Sequence, residues 1–162
     1  MDVGHLIHLQ EKRLFKAIEQ IKKSKTVLVH TTNYFSTFIA VAEDCPPAAE
    51  VPPQKGDAKT VANLHFEMIA ENPYKFTSDE VIFGAHATKN GLTSNLQQER
   101  EQYFSKGQAC LRASPLGKRY GWGVHSDAEG RVAIYPLGSE EYQRFLEDKN
   151  LKKTKAMRSK RV

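Results

Sequence analysis

The segment from Glu43 to Lys59, Glu-Asp-Cys-Pro-Pro-Ala-Ala-Glu-Val-Pro-Pro-Gln-Lys-Gly-Asp-Ala-Lys, holds two Pro-Pro pairs and a glycine. Proline offers no backbone N–H, fixes φ, and pushes the residue before it out of the helical region. This segment therefore forms neither a helix nor a central strand. It is expected as an extended loop held against the body, and the fold must be assembled from the pieces on either side of it.

On the N-terminal side, residues 4–23 read as an amphipathic helix. Ile7, Leu14, Ile18 and Ile21 recur at helical spacing, and Lys12, Arg13, Lys16, Lys22 and Lys23 fall elsewhere. Residues 26–29 and 37–42 read as strands, the second rich in β-branched and aromatic residues. On the C-terminal side, Thr60 opens a helix ended by Asn72-Pro73. Thr77-Ser-Asp-Glu80 is a capping box that starts a second helix over residues 78–90, with Gly91 as its stop. A third helix is expected from about Ser94, with Leu96, Tyr103 and Phe104 facing inward and Gly107 at its end. Residues 121–124 and 131–135 flank Asp127-Ala-Glu-Gly130, a loop with the length and composition of a β-hairpin connection. Alternation puts Trp122 and Val124 on one face of the hairpin and His125 on the other. Ser139 caps a last helix, with Tyr142, Phe145 and Leu146 packing inward.

At 162 residues the chain suits one compact domain. Its longest apolar run, Phe38 to Ala42, is far short of the roughly 20 residues of a membrane-spanning helix, and no membrane partner is expected. The absence of a signal-like N-terminus and the two distant cysteines, Cys45 and Cys110, point to a reduced, cytoplasmic protein. The net charge of +5 is uneven: residues 149–162 carry +7 with no acid, which leaves the rest at −2. Basicity confined to the ends argues for nucleic acid only through the tail, Lys149 to Arg161, acting non-specifically on phosphates.

Chemically capable residues concentrate between Cys110 and Gly130, which contain three cations, the only tryptophan, a histidine and four glycines. From Gln102 to Ser126 four cations and no acid stand inside an acidic body. Arg112 and Arg119 could fork onto a carboxylate or phosphate, Ser114 could donate a hydroxyl, and Lys118 and His125 complete a candidate anion site. The bland alternative is that these cations pair with acids of the same domain. Cys110, His125 and Asp127 are the residue types of a nucleophile, a base and an orienting acid, but a cysteine beside leucine is usually a small buried hydrophobe. No Walker or dinucleotide fingerprint is present and the histidines lack metal-ligand spacing, so neither cofactor nor metal is expected. His65 and His86 read as helix-face histidines with local hydrogen bonds.

Thr31-Thr-Asn-Tyr34, Ala42-Glu-Asp-Cys-Pro46, Asn72-Pro-Tyr74, Phe104-Ser-Lys-Gly-Gln108, Cys110-Leu-Arg112, Ser114-Pro-Leu116, Lys118-Arg-Tyr-Gly-Trp-Gly-Val-His125 and Lys155-Ala-Met-Arg-Ser159 together resemble a family of mostly bacterial proteins gathered as a domain of unknown function. The resemblance runs from about His30 to Arg161. It implies a small single-domain cytoplasmic protein to whose pattern the basic tail belongs, and it carries over no activity, cofactor or catalytic residue.

The expected architecture is α+β. Residues 1–29 form an N-terminal amphipathic helical extension, 30–148 a single domain with a small, mostly antiparallel sheet against three to four helices, and 149–162 a basic C-terminal tail. The expected function is binding of a small anionic ligand or acidic partner by Arg112, Ser114, Lys118, Arg119 and His125. Nucleic-acid association through the tail and a cysteine-dependent enzyme are the alternatives.

Overall fold

The computed structural model describes residues 29–161; the expected helix at 4–23 and nearly all of the strand at 26–29 lie outside them. Within the described residues the chain forms strand β1 (Thr37–Ala40), helices α1 (Val61–Ala70), α2 (Ser78–Lys89) and α3 (Leu96–Tyr103), and a 3-10 turn at Leu111–Ala113. A one-turn helix α4 (Pro115–Lys118) follows, then strands β2 (Trp122–Ser126) and β3 (Val132–Pro136), helix α5 (Glu140–Glu147) and strand β4 (Lys152–Lys155). The α+β architecture holds.

Local chemistry explains where the helices begin. Thr60 accepts from the backbone N–H of Asn63, whose side-chain oxygen accepts in turn from the Thr60 N–H, and Thr77 and Glu80 repeat the arrangement for α2. Ser139 caps α5 by accepting from the Tyr142 N–H. Helix α3 has no side-chain cap, starts after Asn95 at φ 54°, and leaves Leu96 44% exposed rather than facing inward. Tyr103 is half-buried and Phe104 fully so.

The sheet order is β3-β2-β1-β4. The β2–β3 hairpin forms as expected, with Gly130 at φ +81° in its loop. β1 pairs antiparallel with β2 and parallel with β4, so the sheet is mixed. The parallel strand comes from Lys152–Lys155, inside the segment read as a basic tail. Parallel neighbours need a crossover, which α5 supplies by carrying the chain from the β3 edge to the β4 edge.

The two faces bury different things. Ile39, Val124 and Val132 pack with Ile69 of α1, Val81 and Ile82 of α2, and Leu111 and Leu116 of the following turns. On the opposite face Phe38 and Ala40 meet Tyr142 of α5, with Tyr135 and Phe145 packed against them. The proline-rich segment lies against the domain as a loop. Glu50 N–H donates to Tyr120 O at 3.0 Å, Trp122 Nε1 donates to Glu50 O at 2.8 Å, and Asn63 Nδ2 donates to Pro52 O at 2.7 Å. Gly121 makes this contact possible: at φ +76°, a Cβ there would stand 2.8 Å from Ala49 Cα.

Candidate functional site

A pocket of about 360 Å³ opens between α1, α2, the end of α3 and the 109–115 turn. Helical spacing builds its walls. Val61 and His65 are one turn apart on α1, and Ile82, Ala85, His86 and Lys89 recur on one face of α2. Tyr103, Cys110 and Ser114 close the remaining side. The lining is largely apolar, and among the described residues its charged member is Lys89 and none is a carboxylate.

His65 is 6% exposed, and its Nδ1 lies 2.9 Å from the hydroxyl of Ser114, itself 3% exposed. Ser114 also accepts from the Leu116 N–H at 3.3 Å as the cap of α4, so one hydroxyl both starts that turn and holds the imidazole. No fully buried polar side-chain atom among the described residues lacks a partner. His65 Nε2 has no hydrogen-bond partner among the described residues and so is not fully enclosed, and the residue lines the pocket. His86 accepts from the Asn90 amide at Nδ1, 3.2 Å away, and lies at 4.3 Å from the Tyr103 ring. Lys89 Nζ donates to Lys59 O at 3.4 Å. The Cys110 thiol is 3.5 Å from the Tyr34 hydroxyl, and burial, reinforced by that contact, raises the Tyr34 phenol above its usual range.

Burial lowers the His65 pKa to about 4, against roughly 6.5 in an unfolded chain. Between those values the unfolded chain binds a proton that the folded protein excludes. Stability therefore rises with pH across this window and falls on acidification from about 6.5 toward about 4. His65→Gln, which keeps a hydrogen-bonding side chain but cannot titrate, is expected to remove up to about one proton from the slope of unfolding free energy against pH. Urea unfolding at a series of pH values measures this, and an unchanged acid limb would show that His65 does not set it.

The five residues expected to form an anion site do not meet in this pocket; only Ser114 lines it. Arg112 lies along β4, its Nε donating to Lys155 O at 2.7 Å. Lys118 is half-buried and offers its carbonyl to the Ser159 hydroxyl at 3.4 Å, while Arg119 is exposed. His125 points to the α5 face, as strand alternation requires. Its Nδ1 is 2.8 Å from the Tyr74 hydroxyl, which bonds in turn to Tyr135 at 2.9 Å, and its ring stacks on Phe145 at 4.2 Å. Burial lowers the His125 pKa against the opposing pull of Asp127 and Asp148. Cys110 lines the pocket while His125 lies in this separate aromatic cluster, so the two are not assembled as nucleophile and base.

Sequence reading missed His65, His86 and Lys89 as members of one pocket. The available signal was a histidine one turn after an apolar residue on each of two successive helices, Val61–His65 and Ile82–His86. Among the described residues no three His, Cys, Asp or Glu side chains gather as metal ligands, both cysteines are free thiols, and no helix is long and apolar enough to cross a membrane. A family model described as a family of unknown function, DUF6157, matches residues 29–162. No curated protein and no solved structure matches the chain.

Proposed function

We propose that this chain, which belongs to the DUF6157 family across residues 29–162, is a binding module for a small molecule with an apolar body and one anionic group, held in the pocket between α1 and α2. The observation that carries the reading is the buried His65–Ser114 pair presented at the wall of a largely apolar pocket of about 360 Å³. That volume falls within the range of ligand sites, which are mostly apolar with a few converging polar groups. Lys89 at the rim supplies the attraction for an anion, and no carboxylate among the described lining residues opposes it. His65, uncharged at neutral pH and held at Nδ1 by the Ser114 hydroxyl, supplies a directional hydrogen bond through its other ring nitrogen. Within this proposal Ser114 remains from the anion site expected in the sequence, and the ligand-facing cation is Lys89. A cytoplasmic location forms part of the same proposal and fits the two free thiols.

A thermal-shift screen of aromatic and branched aliphatic carboxylates and their phosphate-ester counterparts tests the proposal. A ligand at about 100 times its Kd stabilises the folded state by about 2.7 kcal/mol, a rise of several degrees in Tm. Lys89→Gln is expected to weaken a hit by roughly twofold to fivefold, as loss of one exposed charge contact does. Ser114→Ala should weaken it further by removing a buried hydrogen bond. Stabilisation indifferent to both substitutions, or none across the panel, would overturn the assignment.

A further inference from the structure

We infer that the β4 edge, together with the chain that follows it, is a binding surface for single-stranded nucleic acid. Two basic stretches distant in sequence converge there. Residues 149–162 carry seven cations and no acid, and Gln102–Ser126 carry four and no acid. Met157 N–H donates to Arg112 O at 2.8 Å, Arg112 Nε donates to Lys155 O at 2.7 Å, and Ser159 Oγ donates to Lys118 O. These bonds set Arg112 and Lys118 against the basic segment, with the exposed Arg119 next in the chain, which gives the tail the basic face on the body that its sequence alone lacks.

Part of this charge is spent internally. Glu43 pairs with Lys155 and Arg158, and Asp44 accepts from the backbone N–H groups of Ser159 and Lys160. Those bonds fix the path of the chain. Lys152, Lys160, Arg161 and Arg119 are exposed and make no ion pair among the described residues. An extended chain rises about 3.3 Å per residue, so Lys152 and Lys160 stand up to about 26 Å apart, room for several successive phosphates.

The aromatic partner of this run is Phe35. It is 54% exposed, its ring rests against Gly130, and its neighbour Ser36 accepts from the Lys152 N–H at 3.1 Å, which puts it at the start of the basic strand. An exposed ring one residue from the start of a line of cations, here on the hairpin side of β1, gives a base a stacking surface while the backbone follows the charge along β4. A duplex is the poorer fit, because its bases are already stacked and the basic element here is an edge strand and an irregular segment rather than a helix for the major groove. An acidic peptide would satisfy the cations and leave Phe35 without a role.

Fluorescence anisotropy of the full chain with labelled oligothymidylate and oligouridylate tests the inference over a range of salt. The expected log–log salt slope is about −3, at about −0.7 per phosphate contacted on a single strand. Lys152→Ala and Arg119→Ala should each make the slope shallower by about 0.7. Phe35→Ala should weaken binding by about tenfold at every salt concentration without changing the slope, the signature of a lost stacking contact. All three positions are exposed, and unchanged melting temperatures would show the variants folded. Lys89→Gln, in the helix-lined pocket, should leave oligonucleotide affinity untouched, so the two proposals fail separately. The inference is overturned by absence of binding at low salt, by a slope indifferent to Lys152 and Arg119, or by polyglutamate binding as tightly as the oligonucleotides with Phe35→Ala silent on both.

Discussion

Replacing Phe38 by alanine is expected to lower stability by about 4 kcal/mol, read in thermal unfolding as a fall in Tm of roughly 15 °C. Phe38 is fully buried in the central strand, with Tyr142 edge-on at 5.0 Å and Phe145 stacked at 5.2 Å. Removing its ring leaves a cavity under α5, which is also held by Ala40 against Tyr142 and, just past the end of β1, by the Val41 N–H donating to the Tyr142 hydroxyl at 3.0 Å. Because α5 is the crossover that delivers β4 to the sheet, the loss should reach the basic edge as well. Hydrogen exchange at Thr154 and Ala156 should accelerate together with that of α5. Gly123 provides an independent check of the same contact. A Cβ at that position would stand 2.6 Å from Phe38 Cζ and 2.7 Å from Tyr142 Cε2, so Gly123→Ala overpacks the cluster at a cost of about 2 kcal/mol. In a Phe38→Leu background that cost should shrink by about 1 kcal/mol, because the two residues contend for one volume. Strict additivity would mean that the backbone, not the ring, absorbs the strain.

The parts of the fold legible in the sequence were those whose cause is local. Thr60, Thr77 and Ser139 announce helix starts because a short hydroxyl side chain satisfies an end N–H there, and Gly130 announces its hairpin because the turn needs a positive φ. β4 was not legible. Lys-Lys-Thr-Lys has no apolar alternation, since an edge strand is specified by the backbone of its neighbour and protected by charge on its open side. Ala156, buried at 5% exposure with its N–H on Ala40 O, and Leu151, packed against the Phe38 cluster, were the apolar residues marking that the segment belongs to the sheet. The candidate site was legible only in Ser114, for a geometric reason. Between residues 112 and 125 the chain passes through a 3-10 turn, a helical turn and a strand, which send neighbouring side chains to different faces. Several of the motifs on which the resemblance rests are also occupied with one another. Glu43 and Asp44 hold the Lys155–Lys160 segment, Tyr34 meets Cys110, and Tyr74 meets His125. Residues employed in closing the fold disclose little about a ligand.

The same principle makes Asp79→Ala the second large expected loss, about 3 kcal/mol, or roughly 10 °C in Tm. Asp79 is 7% exposed in the first turn of α2, where a carboxylate complements the helix N-terminus. Its Oδ1 accepts from the Thr32 N–H at 2.6 Å and the Thr32 hydroxyl at 2.7 Å, and its Oδ2 accepts from the Thr31 hydroxyl at 2.7 Å. Asn33 Oδ1 completes the clamp by accepting from the Asp79 N–H at 2.9 Å. With the carboxylate gone, the hydroxyls can rotate to other partners; the backbone N–H of Thr32 cannot. Asp79→Asn keeps an acceptor for that N–H and should cost only about 1 kcal/mol. Urea unfolding at neutral pH would separate the two substitutions, and a loss from Asp79→Ala no larger than that from Asp79→Asn would show that helix α2, not the Thr31–Asn33 segment, sets the energy of the clamp. If the larger loss is found, the Thr-Thr-Asn motif is accounted for as the lock between the start of the domain and α2, the helix that carries His86 and Lys89 to the pocket.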